Sequence, residues 1–224
     1  MPARLSIVMP VLNEAGNLAA TLAALAPLRV QGAELIVVDG GSSDGTAALC
    51  TGLADAVLSA PRGRALQMNT GARAASGAAL LFLHADTTLP DDALTRIAQA
   101  QTHADWGRFD VHIAGHSSLL PLVAALMNTR SRLTGIATGD QAIFVRRETF
   151  NAVGGFPEQP LMEDIELCKR LRRLGPPACL RAKVSTSGRR WDRRGVWRTI
   201  VLMWRLRLLY WLGVPAERLA ATYR

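Results

Sequence analysis

The segment L-I-V-V-D-G-G-S-S-D-G-T, Leu35 to Thr46, limits the folds open to this chain more than any other. An apolar run rich in β-branched residues stops at Asp39, and small or turn-forming residues lead to a second aspartate, Asp44. Apolar side chains on both faces are the mark of a parallel strand covered on both sides. In open α/β sheets the ligand sits beyond the carboxyl ends of such strands, so Asp39 is placed to meet a polar ligand at close range. Gly40, Gly41 and Gly45 permit positive φ and close backbone approach. Ser42, Ser43 or Asp44 can cap a helix starting near Thr46. An ordinary strand–turn–helix junction, with Asp39 as a turn residue, has the same pattern. No G-x-G-x-x-G run is present, which argues against a dinucleotide fingerprint.

The unit recurs along the first half of the chain. Leu5–Met9, Leu35–Val38, Ala56–Ser59 and Ala79–Leu83 read as strands, alternating with helices over Glu14–Leu25, Thr46–Leu53, Arg64–Ala75 and Asp91–Gln101. That order predicts a mostly parallel sheet with right-handed crossovers and helices on both faces. Later the alternation loosens. A strand is expected over Phe109–Ala114, a helix or lid-like segment over Leu119–Leu133 and a strand over Gln141–Val145. A short helix follows near Glu148–Val153, then helices over Glu163–Leu174 and Val196–Leu212. The chain has 224 residues, 49% of them hydrophobic, and no linker or repeat. One domain with a sizeable core is therefore expected. Cys50, Cys168 and Cys179 form no C-x-x-C pair, which points to a reducing compartment without structural zinc. The opening residues are too short and too soon interrupted for a signal peptide, so a cytoplasmic location is expected.

Two further strand ends are polar. The first strand runs into P-V-L-N-E, and the fourth into L-F-L-H-A-D, where His84 and Asp86, two apart in an extended chain, face one side together. A carboxylate there suits Mg²⁺ or Mn²⁺, which favour oxygen donors and bound phosphates. A surface turn with Asp86 as its cap fits equally. Taken together, three polar strand ends converge on one edge of one sheet.

The set resembles the family 2 glycosyltransferases of the GT-A fold. The matching segments are S-I-V-M-P-V-L-N-E, I-V-V-D-G-G-S-S-D-G-T, the N-x-G-A-x-x-A-x-G run from Asn69 to Gly77, L-F-L-H-A-D, V-G-G-F-P-E and M-E-D-I-E-L-C-K-R-L-R-R-L-G. They keep the family's order from about Leu5 to Gly175. The resemblance implies a nucleotide-sugar donor, with UDP as default, and a divalent cation, Mn²⁺ or Mg²⁺. It places Pro10, Asn13, Glu14, Asn69 and Ala85 on the donor side and makes Asp39 the acceptor of a hydrogen bond from the base. Asp86 becomes the carboxylate holding the metal on the diphosphate, and Asp164 of the Glu163–Asp164 pair the general base. First-turn acids of a helix would carry the same two letters. An aspartate titrates ordinarily near 3.9, a weak base at neutral pH.

The chain departs from the family pattern at several positions. His84 stands where the first aspartate of D-x-D is usual, leaving it as a second metal ligand, an outer neighbour or a sugar contact. S-G-R-R-W, Ser187 to Trp191, faintly resembles a Q-x-x-R-W element: Arg190 would grip the diphosphate and Trp191 stack on a sugar, unless the loop is merely solvated. Arg62 and Arg64 are donor-side candidates, and Asp140 in T-G-D-Q an acceptor contact or a simple turn residue.

The net charge is +8, and Arg181, Lys183, Arg189, Arg190, Arg193, Arg194, Arg198, Arg205 and Arg207 crowd one region where Asp192 is the only acid. No nucleic-acid motif accompanies them. On Val196–Leu212, Trp197, Val201, Trp204, Leu208 and Trp211 form one stripe with arginines beside it. Three arginines disfavour a true span. An interfacial helix on an anionic membrane fits, with Met203, Leu206 and Tyr210 turned to the domain; burial in the monomer or a homodimer is the alternative.

The reading is a single GT-A domain: a nucleotide-sugar half to residue 100, an acceptor half over 101–185 and a basic amphipathic tail from 186. The expected activity is inverting, metal-dependent sugar transfer to a hydroxyl or phosphate, on an acceptor that is lipid-linked or a small molecule. A sugar nucleotidyltransferase, which would need a basic Gly-rich loop after the first strand, and a non-catalytic membrane-associated binding protein are the rivals.

Overall fold

The structure is a computed structural model that describes residues 5–223. Residues 1–4, which begin the segment considered for a signal peptide, lie outside the described residues. Strand β1 (Leu5–Val11) is buried throughout because it has neighbours on both edges and both faces. Its alternate residues separate cleanly. Leu5, Ile7, Met9 and Val11 join the cluster under α1 (Ala15–Val30), while Val8 joins the cluster on the opposite face. Strand β2 (Glu34–Asp39) does the same with Leu35 and Val37 against Ile36 and Val38. This two-sided burial is why β-branched residues run on without a polar break.

After α2 (Thr46–Cys50), β3 (Ala56–Ser59) and α3 (Arg64–Ala74), strand β4 (Ala79–Phe82) completes a parallel quartet. The sheet then continues through β5 (Thr87–Thr88), β6 (Trp106–Ala114), β7 (Ile143–Arg146) and β8 (Ala178–Ser187), in the order β3-β2-β1-β4-β7-β6-β8-β5. β7 is antiparallel to both β4 and β6, β8 is parallel to β6, and β5 is antiparallel to β8. The sheet is therefore parallel on one side and mixed on the other. Helices α4 (Ala93–Ala100), α5 (Leu120–Thr134), α6 (Arg147–Ala152), α7 (Glu163–Arg172), α8 (Arg189–Arg194), α9 (Val196–Trp211) and α10 (Ala216–Tyr223) complete the chain.

Sequence and structure differ at definable points. Helix α1 passes through Pro27 to Val30, because Leu28 (3% exposed) is drawn onto the core and a proline near the helix end forfeits little. β6 starts at Trp106 rather than Phe109, with the charge of Arg108 satisfied inside the protein by Asp110. The segment 120–134 is a packed helix, not a lid: Leu120, Val123 and Ala124 are core residues. β8 escaped the sequence reading because Arg181 and Lys183 point outward from a strand whose Val184 is fully buried.

Helices α9 and α10 dock on the region before α7. Leu206 and Leu219 bury against Leu161, Met162 and Ile165, with Met203 and Tyr210 packed alongside. The opposite face of α9 is bare: Trp197, Val201, Trp204, Leu208 and Trp211 are all exposed. No helix among the described residues is long and apolar enough to cross a membrane.

Candidate functional site

The carboxyl ends of β1 and β4 open into one cavity of about 1030 Å³, also lined by residues of α8 and α9. Of the residues singled out from the sequence, Pro10, Glu14, His84, Ala85 and Asp86 line it from the parallel side. Arg64, from the first turn of α3, and Asp140, Asp164, Arg190 and Trp191 line it from the other walls. Asn13, Asp39, Asn69 and Glu163 do not line it.

Asp39 accepts hydrogen bonds from the backbone N–H groups of Gly41 (3.1 Å) and Ser42 (3.0 Å) and from the Ser42 hydroxyl. It is 6% exposed and spends most of its lone pairs on its own turn. Asn13 accepts the Ser43 N–H at 2.9 Å, and its own N–H donates to Ser42 Oγ. Asp39 therefore braces the β2 turn and Asn13 ties the β1 loop to it, and neither lines the cavity. Asp44 accepts from the Ala15 and Thr46 N–H groups, holding the starts of two helices. Gly41 and Gly45 take positive φ as expected. Gly40 does not; a Cβ there would press on the Gln67 amide at 3.1 Å. That amide, overlooked in the sequence, donates to the carbonyls of Val11 and Val38, both at 2.8 Å, and fixes the two strand ends side by side.

Asn69 is corrected from a donor contact to a brace. Its amide donates to the Phe156 carbonyl at 2.9 Å and accepts the Phe156 N–H at 3.0 Å, tying α3 to the V-G-G-F-P loop.

Asp86 is held by its carbonyl, which accepts the Ser187 N–H at 3.1 Å beside the short β5–β8 pairing. Its side chain is free to face the cavity. The cation nearest to it is Arg189, 3.5 Å away, which also reaches Glu14 at 3.2 Å. Sequence reasoning chose Arg190 instead, since the faint motif alone aligned there. Arg190 lies over the Tyr223 ring at 4.3 Å; burial, then repulsion from Arg64, lowers its pKa.

His84 Nδ1 lies 3.2 Å from Asp140 Oδ1. Burial alone would lower the imidazole pKa, but the Asp140 hydrogen bond and charge more than offset it and the shift is upward. Burial likewise opposes ionisation of Asp140, and the His84 hydrogen bond and charge outweigh it, holding this carboxyl below its ordinary value. The pair closes because residue 139 is glycine: a Cβ there would stand 2.3 Å from His84 Nε2. Asp140 thus engages Nδ1 of His84 and leaves Nε2, beside Gly139, as the ring's remaining nitrogen. Gln141, fully buried, anchors this turn by donating to Ser131 Oγ at 3.0 Å.

Asp164 sits in the first turn of α7 and accepts the N–H groups of Gly139 (3.0 Å) and Ile165 (2.7 Å). Burial, followed by the neighbouring Glu163 carboxylate, pushes its pKa up to about 6. Glu163 itself is buried and paired with Arg64 at 3.0 Å. The non-glycine residues with positive φ among those described are Asn13, Ala142 and Met162. Each borders a cleft segment, as stored strain at functional sites does.

Among the described residues, no three His, Cys, Asp or Glu side chains gather as a closed metal cage. The donor set still fits a hard cation: Mg²⁺ and Mn²⁺ bind through one or two carboxylates, substrate phosphates and water, and Asp86 offers such a carboxylate.

A parallel quartet with polar strand ends, extended by antiparallel and parallel strands around a carboxylate-lined cleft, defines the GT-A class of α/β transferase folds. Residues 6–115 match the family model for Glycosyl transferase family 2. The succinoglycan biosynthesis protein ExoA of Rhizobium meliloti (strain 1021) is 32% identical over 192 residues, which are 75% of this chain and 58% of that protein. The chain thus spans under two thirds of this relative's length. A mannosyltransferase from Pyrobaculum calidifontis, solved with GDP-Man and Mn²⁺, superposes with a TM-score of 0.67 at 21% identity, covering 92% of this chain and 61% of that one. Glucosyl-3-phosphoglycerate synthase from Mycobacterium tuberculosis, solved with Mn²⁺, UDP and glucosyl-3-phosphoglycerate, gives 0.65 at 22%, covering 95% and 81%. Over residues 6–115 the chain is a match to glycosyltransferase family 2, and its fold is that of the GT-A transferases.

Proposed function

We propose that this protein transfers a sugar from a nucleoside diphosphate donor to an acceptor oxygen in a single displacement that inverts the anomeric centre. The observation that carries this reading is Asp164. A carboxylate with a pKa near 6, in the same cavity as Asp86 and eight arginines, has the basicity a general base needs at neutral pH. Asp164 takes the acceptor proton as the new C–O bond forms. The bond from the anomeric carbon to the diphosphate breaks, and the departing diphosphate keeps the electron pair. Arg189 and Arg190 stand where they meet that charge. A divalent cation held by Asp86, when bound, supplies Lewis-acid neutralisation of the diphosphate.

Arg64 aligns Glu163 beside Asp164, and the His84–Asp140 pair gives the acceptor side a fixed hydrogen-bonding edge. Asp39 and Asn13 serve the donor by folding the loops on which it lies. We read residues 1–100 as the donor half, 101–185 as the acceptor half and 186–224 as a roof. The bare tryptophan stripe of α9 supports a cytoplasmic protein that rests on the inner face of a membrane.

The test is a thermal-shift series with UDP and GDP, each with and without Mn²⁺. Ligand binding raises stability by mass action. A metal-dependent shift is expected; none with either nucleotide refutes the donor site.

A further inference from the structure

The cavity is of mixed character. Besides the polar residues Glu14, Asp86 and Asp164 it is lined by Val123, Leu126 and Met127 from α5 and by Ile200, Met203 and Trp204 from α9. A second cavity of about 550 Å³, lined mainly by apolar surface, shares Arg130, Trp204 and Arg207 with the first. A nucleotide and a sugar bring flat ring faces but no hydrocarbon chain to cover this run of side chains. At the rim, Leu126 and Trp204 are 56% and 69% exposed, so the groove opens onto the bare stripe of α9.

Arg130 stands where the two halves meet. Its Nε is buried without a hydrogen-bond partner among the described residues, and its Nη2 reaches only the Ile136 carbonyl, at 3.5 Å. Burial pulls its pKa down, with the Asp164 charge offsetting part of that. A desolvated guanidinium with unused donors is matched by a phosphate, which accepts in bidentate fashion. The charge around the groove has the same sense. Helix α9 carries Arg198, Arg205 and Arg207 and no acid.

Resting on the glycosyltransferase reading above, we propose that the acceptor is a lipid phosphate: Arg130 holds its phosphate near Asp164, and its hydrocarbon lies in the groove between α5 and α9. A small phosphorylated acceptor would use Arg130 and leave the apolar walls bare. A neutral lipid would use the walls and leave Arg130 unmatched.

The experiment is calorimetric titration of the purified full chain with farnesyl monophosphate below its micellar concentration. Farnesol, inorganic phosphate and glycerol 3-phosphate are the comparison arms. Farnesyl monophosphate is expected to bind at least about tenfold more tightly than each of the others, the effect of one charge-assisted contact or of several buried methylenes. Arg130→Gln is expected to weaken it about tenfold, the loss of one such contact. Trp204→Ala, at an exposed position that spares the fold, weakens it as well and decides the matter if Arg130→Gln does not fold. Equal binding of inorganic phosphate or glycerol 3-phosphate, equal binding of farnesol, or no binding of farnesyl monophosphate overturns the proposal. The thermal shift with UDP and Mn²⁺ reads the donor side separately in the same samples. Lost lipid binding with an intact nucleotide shift therefore refutes this proposal alone, whereas a missing nucleotide shift refutes the underlying function.

Discussion

The guanidinium of Arg189 lies 3.5 Å from the carboxylate of Asp86, the group best placed to hold a divalent cation. An arginine there competes with the cation it prefigures. Its side chain is 40% exposed, so the contact is worth at most about 1 kcal/mol. Arg189→Ala should tighten Mn²⁺ binding in the absence of nucleotide, by up to about fivefold. Calorimetry with the metal alone measures it, and unchanged or weaker binding removes the competition.

Asp164→Asn keeps the shape of the side chain and removes its basicity. Turnover should fall by about 10²–10⁴, the usual contribution of a general base, while the nucleotide thermal shift is retained. Turnover near the wild-type rate would take the base assignment away from Asp164.

The same carboxyl sets two pH dependences. Turnover should rise with pH along a limb centred near pH 6, where Asp164 loses its proton. Stability runs the other way. The folded pKa of about 6 exceeds the ordinary 3.8, so the folded state holds this proton more tightly. The group's stabilisation is complete below about pH 4 and is lost as pH rises to about 6. Denaturation of Asp164→Asn across this window should lack that decline; an identical decline in both proteins contradicts the shift.

Gly139→Ala drives a methyl group to 2.3 Å from His84 Nε2. The ring must leave Asp140, or the turn carrying the Gly139 N–H must leave Asp164. A loss of about 1–3 kcal/mol is expected from overpacking of this kind, together with reduced turnover. Chemical denaturation and a rate assay read both, and a wild-type result in each shows that the turn has room.

Asn69→Ala should behave as a structural substitution. It leaves the buried Phe156 backbone without its partners, at about 1–3 kcal/mol, and leaves nucleotide affinity alone. A selective loss of nucleotide binding with unchanged stability would return Asn69 to the donor site.

The parallel quartet was legible because each of its strands is an apolar run broken by a polar residue at one end, a pattern that depends on local sequence only. Asp86, Asp140 and Asp164, each singled out from the sequence, line one cavity. Arg189 was missed because its partners, Glu14 and Asp86, lie far away in sequence and no spacing connects them. Asn69 was misassigned for the converse reason: the motif is visible locally, but its role is set by a loop at Phe156. β8 was hidden by Arg181 and Lys183, which read as surface charge until neighbouring strands supply the other face. On α9 the wheel separated Leu206, now buried, from Trp197, Trp204 and Trp211, now exposed.

Glu14 and Arg189, joined at 3.2 Å, are separated by 175 positions. The quartet that carries Asp39 and Asp86 is complete by Phe82 and can pair early as the chain emerges. The cleft cannot, because its roof and the arginine that pairs with Glu14 and Asp86 come from the segment after β8. Loop closure over such a distance is slow, so the strand ends that carry Glu14 and Asp86 pair before Arg189 reaches them. The last elements to dock are the ones that close the cavity.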